Sequence, residues 1–78
     1  MNVKVRFFAS MRDRMGRAED EVSVQDGSVT VSDVWAKVAP DQPMPDSTLI
    51  AINMEYTDAA ALVKEGDEVA FFPPVTGG

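Results

Sequence analysis

The chain ends in Pro73-Pro74-Val75-Thr76-Gly77-Gly78, and the group there that can do chemistry is the carboxylate of Gly78. A terminal carboxylate has an ordinary pKa of ~3.3–3.7, so it is ionised at neutral pH. It is inert toward attack because its oxygens leave poorly, and it becomes reactive only after activation. The residues before it suit delivery to an outside activator. Gly77 and Gly78 have no Cβ, so the backbone can pass a slot too narrow for side chains and take any φ the slot imposes. Pro73 and Pro74 bring no N–H to a sheet and bias the residue before each toward extended geometry. Fully extended, Pro73 to Gly78 reaches about 20 Å, far enough to place the end inside another protein. A frayed terminus can also end in Gly-Gly. Such ends are usually polar and charged, whereas this one carries Val75 and Thr76 and no charged side chain.

The rest of the chain offers few reagents. It has no cysteine and no histidine, which removes thiolate nucleophiles, zinc and iron–sulfur ligation and the commonest general acid–base group. At 78 residues, 45% hydrophobic and 26% charged, it reads as one globular domain. A chain of this size buries only about 60% of its unfolded surface, so a deep private active site is not expected. Thirteen acidic against seven basic side chains give a net charge of −6. A nucleic-acid backbone would be repelled. The acidity suits basic protein surfaces and also serves as a solubility device. No apolar run approaches the ~20 residues of a membrane span, and the first residues follow a strand pattern, not that of a signal peptide. Absence of cysteine accords with a reducing compartment. The expectation is a soluble, cytoplasmic protein.

The elements that must hold the tail can be read from periodicity. Glu68 to Phe72, after the Gly66-Asp67 turn, is a Val/Phe-rich strand that Pro73 stops. Its side chains alternate, so Phe71 and Phe72 face opposite ways. Val3, Val5 and Phe7 alternate with Lys4 and Arg6, giving a first strand with one buried face. If Phe7 and Phe71 join that core set, Phe8 and Phe72 point outward beside the tail. Ser10 can cap a short helical turn from Met11 to Met15 that Gly16 ends, with Met11 and Met15 as core plugs. Asp20 to Val24 alternates as an antiparallel partner of strand one, with Glu19-Asp20-Glu21 as a solvated face. Thr30 or Ser32 can cap a helix closed by Pro40. Val31, Val34, Trp35 and Val38 form its apolar stripe, with Trp35 read as core. Pro40 to Ser47, with three prolines, is loop. Leu49 to Asn53 reads as a strand covered on both sides, followed by a short edge strand ending near Thr57. Asp58 can cap one helical turn, Ala59 to Val63.

The block Gly66-Asp67-Glu68-Val69-Ala70-Phe71-Phe72-Pro73-Pro74-Val75-Thr76-Gly77-Gly78 closely resembles the C-terminus of the small subunits of molybdopterin synthase, a family of ubiquitin-like sulfur carriers. The resemblance extends over Val3 to Arg14 and Leu49 to Gly78 and is weak from Ala18 to Ser47. It implies an α+β, ubiquitin-like β-grasp: a mixed sheet of about five strands with one main helix on one face, and first and last strands parallel in the middle. Residues 1–72 would form the domain and residues 73–78 an extended tail. It further implies that an E1-like, ATP-dependent activating enzyme adenylates Gly78 and that sulfur transfer leaves a thiocarboxylate there. No cofactor would be bound. The tail, through Pro73, Pro74, Val75, Thr76 and Gly77, would thread into the large subunit of a molybdopterin synthase heterotetramer. The carried sulfur would go to cyclic pyranopterin monophosphate, and the general acids and bases would be the large subunit's. Phe72, Phe8, Tyr56 and Arg12 occupy positions of family contact residues. Tyr56 departs from the aliphatic residue common there, and Phe8 suits core packing equally. Related carriers serve thiamine synthesis, tRNA thiolation or protein conjugation by the same Gly-Gly logic. A plain interaction module with an inert tail is the alternative of a different class.

Overall fold

A computed structural model of the chain describes residues 1–74. Its elements in order are β1 (Asn2–Phe7), α1 (Ser10–Met15), β2 (Glu19–Ser23), α2 (Val31–Val38), β3 (Leu49–Ile52), β4 (Glu55–Thr57) and β5 (Glu68–Phe72). The strands form one sheet in the order β2-β1-β5-β3-β4. β1 and β5 are parallel, with Lys4 opposite Glu68 and Phe7 opposite Phe71, and every other pairing is antiparallel. First and last strands therefore lie side by side in the interior of the sheet, as expected of a β-grasp.

One face of the sheet makes the core. Along β1, Val3, Val5 and Phe7 are buried while Asn2, Lys4 and Arg6 are exposed, so the period-two pattern becomes a period-two burial. Val69 and Phe71 of β5 join the same cluster, and α2 covers it with Val31, Val34, Trp35 and Val38. Thr30 starts α2 with a reciprocal capping box. Its hydroxyl accepts from the Asp33 N–H at 3.2 Å, and the Asp33 carboxylate accepts the Thr30 N–H at 2.9 Å. The Trp35 ring stands edge-on to Phe71 and Phe7, at 4.9 and 6.5 Å between centroids. Its indole N–H donates to the Gln42 carbonyl at 2.9 Å, which ties down the proline-rich loop.

Three local expectations need correction. Ser10 is the first residue of α1 and not its cap; Ala9 holds that position at φ 52° with no side-chain cap bond. The cause lies in β1: the Phe8 N–H is still in the sheet, donating to the Phe71 carbonyl at 3.1 Å, so the whole turn into α1 falls on Ala9. No helical turn forms from Ala59 to Val63. Asp58 does bind the Ala60 N–H through its carboxylate, but in a β-turn. Beyond it Val63 donates to Val29 and Val31 to Ala61, so pairing with the entry to α2 overrides the local cap. β3 is not covered on both sides either: Ile50 and Ile52 face the core, and Leu49 on the other face is half-buried with no helix over it. Both helices pack into the same cluster, on the same side of the sheet.

Arg17, unremarked in the sequence, fixes α1 to the rest. Its guanidinium donates to Asp20 at 2.9 Å, to the Met15 carbonyl at 3.2 Å and to the Val38 carbonyl at 2.9 Å, and lies 5.3 Å over the Phe7 ring. Among the described residues no helix is long and apolar enough to cross a membrane.

Candidate functional site

The site is the C-terminal end of β5 and what surrounds it. Phe71 is fully buried against Phe7 and Trp35. Phe72, one residue on, faces the other way and stacks on Phe8 with centroids 4.7 Å apart. Tyr56 from β4 reaches the same ring at 6.1 Å, tilted by 58°. Strand register explains why these residues meet. Leu49 lies opposite Phe72, and Ala51 lies opposite both Ala70 and Tyr56, so all share the outer face. The two alanines are the floor, and the three aromatic rings rise around the tail root.

Exposure decides the ambiguity over Phe8. The side chain is 37% exposed and lies outside the core, where sequence alone allowed either place. Tyr56 is 74% exposed. Arg12 is exposed on α1 and has no side-chain hydrogen bond or ion pair among the described residues. On the β2 side of the same face, Arg6 reaches Glu19 at 3.5 Å and Glu68 at 3.6 Å. Exposed pairs of this kind are worth at most about 1 kcal/mol, so they set charge pattern more than stability. The outer face is therefore aromatic at the tail root and charged away from it.

Pro73 is half-buried and Pro74 exposed. Both line a groove with Ser10, Met11, Arg14 and Pro45. Neither Arg14 nor Pro45 was singled out from sequence; the signal available was a loop with three prolines, which shows no direction. Val75, Thr76, Gly77 and Gly78 lie outside the described residues. Within those that are described, no buried polar or charged side chain occurs and no group of three potential metal ligands comes together. What this end of the molecule offers is a contact surface around a tail, with no constellation of acids, bases or nucleophiles beside it.

Residues 5–78 match the family model described as the ThiS family. The chain belongs to the ThiS family. That match takes in Phe8, Tyr56, Phe72 and the whole of the tail. Among relatives of this ThiS-family chain, the molybdopterin synthase sulfur carrier subunit of Chlamydomonas reinhardtii is 39% identical, with all of both chains covered. The subunit of the same name from Escherichia coli is 37% identical, over 97% of this chain and 99% of that one. Among solved structures, small archaeal modifier protein 1 from Haloferax volcanii superimposes with a TM-score of 0.83 at 27% identity, over the full length of both chains. The five-stranded mixed sheet of this ThiS-family member is the ubiquitin-like β-grasp.

Proposed function

We propose that the chain is the sulfur carrier subunit of a molybdopterin synthase. The observation that carries this is its full-length identity of 39% and 37% to two subunits of that name. The geometry supports it: a central strand leads directly into a Pro-Pro root beside three aromatic rings.

In this reading a Gly78 carboxylate oxygen attacks the α-phosphorus of ATP on an E1-like activating enzyme. Pyrophosphate leaves, and an acyl adenylate remains. Sulfur from a donor then displaces AMP, leaving a thiocarboxylate whose sulfur is the nucleophile the chain otherwise lacks. The cytoplasm is the compartment where ATP and such an enzyme meet the carrier. The tail, through Gly77, Thr76, Val75, Pro74 and Pro73, then enters the large subunit. Phe8, Phe72 and Tyr56 form the docking surface, with Arg12 as a polar contact. Inside, sulfur passes to cyclic pyranopterin monophosphate, using acids and bases of the large subunit.

The test is incubation with ATP, the cognate activating enzyme and a sulfur source, followed by mass spectrometry. A gain of about 16 Da at Gly78, oxygen replaced by sulfur, is the expected result. No pyrophosphate release would mean an inert tail. The likeness to a small archaeal modifier protein favours a second reading, in which the activated carboxylate forms an amide with a lysine of another protein. That reading predicts adducts carrying the whole chain on other proteins, in place of the 16 Da gain.

A further inference from the structure

The tail root has two sides. The aromatic rings occupy the outer side of the sheet. On the helix side lies a groove of about 290 Å³, lined by Ser10, Met11, Arg14, Pro45, Pro73 and Pro74. Its lining limits what it can bind. Three of the six residues are prolines, which have no N–H to donate, and Met11 is turned into the core. The side chains left to meet an occupant with hydrogen bonds are the Ser10 hydroxyl and the Arg14 guanidinium. Four residues apart on α1, they lie on one face of the helix. Guanidinium only donates and stays charged, so the groove favours an acceptor that is an anion.

The charge is uncommitted. Arg6 is engaged by Glu19 and Glu68, and Arg17 by Asp20. Arg14 has no ion pair among the described residues, and Asp13, the acid of the same helix, is not part of the lining. In a chain of net charge −6, this puts a free cation directly against the root of the tail. On the outer face Glu19, Glu21 and Glu68 are interleaved with Lys4 and Arg6, so the charges there largely offset one another, whereas Arg14 stands against the root on the helix side.

We infer that the groove receives an acidic side chain of the molybdopterin synthase large subunit, with Arg14 as a specificity-determining contact and Ser10 as second donor. The inference rests on the sulfur-carrier reading above. A protein that draws the tail into itself as far as Pro73 closes around the root from both sides, so the surface that takes Phe72 continues onto the groove. An Asp or Glu there can accept two hydrogen bonds from the guanidinium fork. A partner closing over the groove excludes water there and strengthens the pair. An aromatic surface on one side of the root and a cation on the other also fix the rotation at which the carrier docks, because a turned carrier would set Arg14 against the site of the rings.

Calorimetric titration of the cognate large subunit tests this with Arg14→Glu, Arg14→Lys and the parent chain. Pyrophosphate release by the activating enzyme, measured in parallel, shows that the tail remains competent. Arg14→Glu is expected to weaken large-subunit binding by about tenfold or more at low salt, with the ratio to the parent shrinking as salt screens the charge. Arg14→Lys, which keeps the charge but loses the fork, should bind between the parent and Arg14→Glu. The urea midpoint should not move, since the side chain is exposed. Parent-like binding by Arg14→Glu would overturn the inference, including the case in which adenylation alone falls. So would an Arg14→Lys variant as weak as Arg14→Glu. A parent chain that neither binds the large subunit nor releases pyrophosphate would instead overturn the sulfur-carrier reading itself.

Discussion

The ring of Phe8 lies flat on the ring of Phe72, 4.7 Å between centroids and 7° from parallel. Neither residue is a sequence neighbour of the other, and the stack depends on parallel pairing that runs past the last residue of β1. Phe7 stands opposite Phe71, and the Phe8 N–H donates to the Phe71 carbonyl. Once that register is set, Phe7 and Phe71 must face the core and Phe8 and Phe72 must face out.

The pair separates stability from recognition. Phe71→Ala removes a ring packed against Phe7 and Trp35, and should cost ~3–5 kcal/mol in urea unfolding. Phe72→Ala loses a half-buried ring stacked on the outer face and should cost about 1 kcal/mol. By calorimetry the order should invert, with Phe72→Ala weakening association with the large subunit by about 2 kcal/mol. The opposite pattern would mean that the outer face is not where the large subunit docks.

Deleting Gly78 should leave the melting temperature within error, because β5 ends at Phe72, six residues short of it, and the core cluster is built from residues of the described elements and their connections. Sulfur transfer should disappear. Retained transfer in a coupled molybdopterin assay would remove Gly78 from the chemistry.

Thr30→Ala removes the hydroxyl half of the capping box at the start of α2, leaving the backbone N–H of residue 30 to donate to Asp33, and should destabilise the fold by about 1 kcal/mol. Thermal unfolding followed by Trp35 fluorescence reads it directly, because Trp35 sits on that helix. An unchanged midpoint would show that α2 is held by its apolar stripe alone.

Asn53 and Met54 form the turn between β3 and β4 at φ 50° and 72°, a left-handed pair of the kind two-residue hairpins need. Asn tolerates that region. Met54 does not, and its side chain is 91% exposed, so little packing offsets the strain. Met54→Gly should stabilise by about 0.5 kcal/mol, after the entropy glycine loses on folding. A fall in the urea midpoint would show that the exposed Met54 side chain contributes contacts worth more than the strain.

What was legible in the sequence was what repeats. Alternation in β1, the i, i+3, i+4, i+7 stripe of α2 and the opposed faces of Phe71 and Phe72 each follow from a fixed period, so burial could be read residue by residue. Single-residue signals did less well. An Asp that can cap a helix can equally hold a β-turn, and at Asp58 the choice was made by Val29 and Val31, far back in the chain. Ser10 looked like a cap by type, yet the turn fell on Ala9 because Phe8 was held by β5. The groove beside Pro73 depends on where an aperiodic loop sets Pro45, for which no pattern exists to read.

β5 has a hydrogen-bonded neighbour on each side, parallel β1 and antiparallel β3. Pro73 follows directly on Phe72, the last residue of that strand. A pull on the tail therefore acts on the two ladders in shear, loading their hydrogen bonds together, whereas a pull on an edge strand such as β4 would open them one at a time. On the sulfur-carrier reading, in which the end is drawn into one enzyme, released and drawn into another, the handle is fastened where the sheet resists force best.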